Sequence, residues 1–143
     1  MRLCGLLLAA LMGACAAPKV APPPRPLAPV PVMTVMGGEW VAFAIDGVDE
    51  VVFPKPLLRW VSATQVSGSG GCNGFTGMAV TDLSRLRIGP LAATKVRCLS
   101  LPGGQEDKFF KALENTRTAR FQNDQLVLLD DTGLALVRML KAE

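Results

Sequence analysis

The sequence predicts a mainly β fold: a small antiparallel, barrel-like (lipocalin-like) domain with one amphipathic helix. Three observations predict it. From Glu39 onward, short apolar runs alternate with turn residues, the spacing of hairpin-linked strands. A single later segment switches to helical spacing. The chain ahead of the first run reads as leader and linker, leaving about 105 residues, enough for one core.

The leader comes first. Met1-Arg2 gives a positive start, Leu3 to Met12 an apolar run, and Gly13-Ala14 a pair of small residues, the three-part layout of a secretory signal peptide over residues 1–14. At about ten residues the run is half the length of a membrane-spanning helix. Met12-Gly13-Ala14-Cys15 resembles the lipobox of bacterial lipoproteins, with Met12 where Leu is usual. The resemblance implies that Cys15 is the lipid-attachment residue and the mature N-terminus; a plain signal-peptidase cut near Ala14 or Ala17 is the alternative. Two or more acyl chains would make such an anchor stable, each buried methylene adding about 0.8 kcal/mol. Cys4 would leave with the leader.

Residues 15–36 form a tether rich in Pro and Ala, with Pro18, Pro22, Pro23, Pro24, Pro26, Pro29 and Pro31. Proline removes amide donors and blocks helix, so the stretch is expected to be extended polyproline II, reaching roughly 40–60 Å.

The folded domain is expected over residues 37–143. Trp40 to Ile45 reads as a strand closed by Asp46-Gly47. Leu57 to Val61 follows, with Gln65 to Gly68 pairing back on it. Phe75 to Val80, Arg85 to Ile88 and Leu91 to Thr94 continue the series as separate strands. Phe121 and Gln125–Leu129 flank an Asn123-Asp124 turn, and Leu134 to Leu140 follows Asp130-Asp131-Thr132-Gly133. Gln105 to Arg117 is the helix: Glu106 and Asp107 open it and Arg117 closes it, matching the helix dipole. Phe109, Phe110 and Leu113 fall on one face, expected to pack over an opening of the sheet.

Composition excludes several functions. The formal net charge is only +3, without the basic, aromatic-interleaved face that nucleic acid requires. Arg85, Arg87, Lys95 and Arg97 come nearest to a cluster, at the two-residue spacing of one strand face, and read as a solvated face. There is no His and no Tyr, so the commonest metal ligand and the commonest general base are both missing. No metal site, cofactor or catalytic residue is expected. Asp130 and Asp131 read as a solvated hairpin turn.

The most distinctive segment is Ser67-Gly68-Ser69-Gly70-Gly71-Cys72-Asn73-Gly74. Dense glycine suggests a phosphate cradle, but no Lys-Ser or Lys-Thr follows at the required spacing and no helix opens after it. A left-handed turn accounts for Gly and Asn equally well. Cys72 and Cys98 would be the only thiols left after export, and an oxidising compartment favours a bridge, adding roughly 3.5 kcal/mol on a chain-entropy account. A redox-active dithiol is the alternative; it calls for Cys-x-x-Cys spacing or a cationic setting, and only Arg97 beside Cys98 points that way.

Trp40, Val66 to Asn73, Leu91-Ala92-Ala93-Thr94 ahead of Cys98, Glu106 heading the helix, and Leu126 and Leu128 before Gly133 occur in order. Over about Gly38 to Leu140 the chain resembles the META domain (HslJ-like) family. The resemblance implies a compact barrel-like fold with one helix and a Cys72–Cys98 disulfide. Trp40, Gly71, Cys72 and Asn73 would be structural motif positions, with no catalytic residue. Members are often envelope lipoproteins linked to stress or antibiotic tolerance, motility or virulence. The segment Asp46 to Pro56 departs from the family pattern, and Val51-Val52-Phe53 leaves the start of the second strand open.

The expected function is therefore a non-catalytic envelope module, membrane-anchored through its lipid and facing the periplasm or exterior. It would bind an envelope protein or cell-wall component, or support envelope integrity under stress. No Asp follows Cys15 to retain the chain at an inner membrane, so the outer membrane is expected. A lipocalin-like carrier of a small apolar ligand is the alternative, although a barrel this small is usually filled by its own side chains.

Overall fold

The computed structural model describes residues 37–97 and 101–143. The leader, the tether, Cys15 and Cys98 lie outside the described residues. Eight strands follow in chain order: β1 (Glu39–Ile45), β2 (Leu57–Ser62), β3 (Gln65–Ser69), β4 (Gly74–Asp82), β5 (Arg85–Ala93), β6 (Thr118–Gln122), β7 (Gln125–Leu129) and β8 (Ala135–Lys141). Each pairs antiparallel with the next, and β8 returns to β1 through Val41 opposite Leu140. The sheet thus closes on itself and leaves no free edge. One helix, α1 (Gln105–Asn115), stands between β5 and β6.

Alternation builds the ring. In β2, Leu58 and Trp60 are buried while Arg59 is exposed; in β5, Leu86 and Ile88 are buried while Arg85 and Arg87 are exposed. The period of two sends every second side chain inward, where Leu58, Val66, Leu86, Leu126, Leu128 and Met139 meet. Hairpin turns follow local chemistry. Asn123 and Asp124 both take positive φ (50° and 60°) between β6 and β7, the two-residue turn expected from the sequence.

The structure departs from the expected elements at three places. Arg85–Ile88 and Leu91–Thr94 are not separate strands; they are one strand, β5, bent at Gly89-Pro90. Gly89 has φ 114°, and β4 answers with a register shift between Gly77 and Ala79. The amide of Leu91 donates to Glu114 Oε1 at 3.0 Å, so the helix takes up a donor near the bend. Lys95 and Arg97 lie beyond β5 in irregular chain and share no strand face. Finally, α1 stops at Asn115, because Thr116 is already extended (φ −62°, ψ 133°). Arg117 still serves the helix end from outside it: its guanidinium donates to the carbonyls of Glu114 and Thr116, both at 2.8 Å, meeting acceptors a helix C-terminus leaves open.

The apolar face of α1 enters the core as its spacing predicts. Phe109 and Leu113 are fully buried and Phe110 is partly buried against the same cluster. Phe75 on β4 meets both rings edge-on, with centroids 6.2 Å from Phe109 and 5.4 Å from Phe110. The open segment between β1 and β2 is fixed from the helix start. Gln105, fully buried, accepts from the Val52 amide at 2.8 Å and donates to the Val52 carbonyl at 3.1 Å. One side-chain amide here does what a neighbouring strand would do, so Val51-Val52-Phe53 needs no strand of its own.

Candidate functional site

The densest polar constellation is at the end of the barrel where β3 turns into β4 and α1 begins. Asn73 is its centre. It is 6% exposed, and burying an amide is tolerable only when its hydrogen-bonding groups find partners. Its Nδ2 donates to Glu106 Oε1 at 2.6 Å and to the Val96 carbonyl at 3.1 Å. Its Oδ1 accepts from the Val96 amide at 2.6 Å and from Thr94 Oγ1 at 2.9 Å. Two donors and two lone pairs are thereby filled. Thr94 in turn accepts from the Gly74 amide at 3.2 Å. The word Leu91-Ala92-Ala93-Thr94 ends on this contact.

Glu106 is the second anchor. It sits in the first turn of α1, where a negative charge suits the helix dipole. Its Oε2 accepts from the amides of Cys72 at 3.0 Å and Asn73 at 2.6 Å. The glycine-rich loop does cradle an anion, but that anion is the chain's own carboxylate. This explains the glycines. A Cβ on Gly70 would lie 2.5 Å from Glu106 Cγ and 2.8 Å from Phe110 Cζ, and Gly71 has φ 116° with the Pro54 carbonyl 2.6 Å from where a Cβ would be. The left-handed turn is thus made by Gly71. Asn73 takes no positive φ; it is required for its side chain, a correction to the turn role read from sequence.

The expected motif residues divide between the two ends. Gly71, Cys72 and Asn73 meet Glu106 and Thr94 in this node. Trp40 is on the early part of β1, 3% exposed and edge-on to Phe121 with centroids 6.0 Å apart, packing the other end of the core. Among the described residues its indole nitrogen meets no hydrogen-bond partner, and neither do the buried Trp60 Nε1 and Ser67 Oγ. Cys72 is exposed. Gln105 and Glu114 were not singled out from sequence, where a polar residue on a helix gives no sign of a partner 53 or 23 positions away.

Chemically, the node is a brace. Its carboxylate and amide are committed to internal bonds. Among the described residues no group of three or more His, Cys, Asp or Glu could hold a metal ion. Asp130 behaves similarly: its Oδ1 accepts from Thr132 Oγ1 at 2.7 Å and from the amides of Thr132 and Leu134, both at 2.9 Å. The Thr132 hydroxyl acts most strongly to lower its carboxyl; desolvation opposes it, and the Leu134, Thr132 and Gly133 amides add to the lowering, so the carboxyl stays below the ordinary 3.8. A depressed carboxylate contributes stability that is present above the unfolded value and lost as pH falls through the folded one. An NMR titration of the side-chain carboxyls is expected to show Asp130 ionising below 3.8, and Thr132→Val is expected to move it back up.

An eight-stranded antiparallel ring with a helix braced to its glycine-rich loop defines a small β-barrel domain. Residues 33–143 match the META domain model, and the chain belongs to the META domain family, which is not a known enzyme family. No curated protein matches the chain. A solved protein from Burkholderia xenovorans, determined by NMR, shares the fold with a TM-score of 0.66 at 24% identity, covering 90% of this chain and 98% of that one.

Proposed function

We propose that this protein is a non-catalytic module of the bacterial cell envelope, exported, acylated at Cys15 and held by its tether at the outer membrane. There it binds an envelope protein or cell-wall component, or supports envelope integrity under stress. The observation that carries the non-catalytic reading is the Asn73–Glu106 node, whose polar atoms are turned onto the fold itself. The leader, Cys15 and the proline-rich tether support the address. A Cys72–Cys98 disulfide belongs to the same reading. Asn73, next to Cys72, holds both the amide and the carbonyl of Val96, which keeps the chain two residues before Cys98 close to Cys72. The carrier alternative finds no favouring observation, since the described interior is occupied by Leu58, Leu86, Phe109, Leu126, Leu128 and Met139, all fully buried.

Intact-mass analysis of the protein extracted from membranes tests the address in one measurement. The expected mass lacks residues 1–14, carries diacylglyceryl or triacyl addition, and is two hydrogens lighter than the dithiol. A full-length, unmodified mass with both thiols alkylatable would overturn the proposal.

A further inference from the structure

The outer face of β5 to β8 carries a concentration of charge that the brace does not use. Arg85 and Arg87 point outward from β5, Arg120 from β6 and Arg138 from β8, and Arg117 lies just ahead of β6. Five of the seven described arginines therefore sit on this side of the ring. Register makes the patch continuous: Arg85 is opposite Thr118, and Val127 lies between Arg120 and Arg138. Arg85, Arg87, Arg117, Thr118 and Asp131 line a recess of about 310 Å³.

None of these cations forms an ion pair with another described residue. Among the described residues the only ion pair within 4 Å is Arg59–Glu39, at 3.4 Å on another part of the barrel. The nearby carboxylates lie at turns and strand ends: Asp82 opposite Arg85 in register, Asp131 on the recess, Asp130 turned into its own loop, and Asp124 in the β6–β7 turn. Beside the arginines, the β4–β5 turn exposes Leu83, 79% accessible at φ 52°, and Val80 is exposed next to Arg87 in register. A large apolar residue in a left-handed turn is disfavoured by its backbone, and at this site most of its side chain is left to solvent.

Strand alternation sets the orientation. β1 begins at the end of the barrel where the β2–β3, β4–β5 and β6–β7 turns lie, so the tether joins the domain at the end that carries Leu83. We infer that this face docks on an anionic phospholipid surface, the arginines taking headgroup phosphates and Leu83 entering the headgroup layer. The inference deepens the proposed anchored reading and rests on it only for the presence of a membrane.

The test uses the full chain with Cys15→Ala, which removes acylation, and measures partition onto vesicles rich in phosphatidylglycerol against pure phosphatidylcholine. The background from the leader is common to every variant. Tighter binding to phosphatidylglycerol, weakened by salt, is expected. Combined Arg85→Gln, Arg87→Gln and Arg120→Gln is expected to weaken it by roughly 100-fold, and Leu83→Ser by roughly tenfold. Lys95→Gln with Arg97→Gln, off this face, is expected to have little effect. Equal partition on both vesicles overturns the inference, as does salt-independent binding by the unsubstituted chain, a readout that needs no variant to fold. Displacement by millimolar inorganic phosphate also overturns it, in favour of a free-anion site. The anchor itself is judged separately, by the mass of the native protein.

Discussion

Replacing Asn73 with Asp is expected to cost about 3 kcal/mol or more at neutral pH, close to the largest loss available to a single side chain outside the apolar core. The substitution changes one atom. Nδ2, which donates to Glu106 Oε1 at 2.6 Å and to the Val96 carbonyl at 3.1 Å, becomes an oxygen facing two acceptors. Two carboxylates at that separation cannot both ionise comfortably, so one pKa of the pair rises. Stability relative to the unsubstituted protein should therefore recover as pH falls and a proton is shared, the reverse of ordinary acid sensitivity. Asn73→Ala should lose a similar amount with no such recovery, since it leaves the Val96 amide and Thr94 hydroxyl without their acceptor. Urea denaturation of the three proteins across acid and neutral pH checks both statements. Equal losses at every pH would show that the Asn73–Glu106 contact is not the source.

Phe109→Ala is expected to cost about 3–5 kcal/mol, lowering Tm by roughly 15 °C or more. Phe109 is the largest of the fully buried side chains, and it joins the helix to Phe75 on the barrel wall. Its removal leaves a void between two rigid elements, and close-packed interiors relax only in part. Phe110→Ala should cost clearly less, because that ring is only partly buried. Thermal unfolding by circular dichroism separates the two. A reversed order would mean that the helix is held by its edge near Gly70 and not by its core face.

Much of the ring was legible in the sequence because it depends on local chemistry. Trp40 to Ile45, Leu57 to Val61 and Gln125 to Leu129 carry their own apolar patterns, and Asn123-Asp124 specifies its own turn. The errors arose where a distant group decides the outcome. Gly89-Pro90 reads as a strand break, yet the strand continues, bent there, with Glu114 taking the Leu91 amide. Arg117 reads as the last residue of a helix, yet it caps that helix from two residues beyond its end. In the site, Gly71, Cys72 and Asn73 stood out as a word. Their physical reason lies in Glu106, more than thirty residues away, and spacing alone cannot supply that pairing.

The join between β5 and β6 is the slenderest in the ring, a single register pair, Arg85 with Thr118, flanked by the Leu86 amide on the Arg117 carbonyl and the Ala119 amide on the Ser84 carbonyl. Elsewhere neighbours are laced over longer ladders, as between β6 and β7. A hoop with one short weld has the fewest bonds to break there, so this join is expected to open before the longer ladders do. The helix that stands between these two strands in the chain is pinned elsewhere, by Glu106 to the β3–β4 loop and by Glu114 to Leu91 of β5, and leaves the β5–β6 join to its own few bonds.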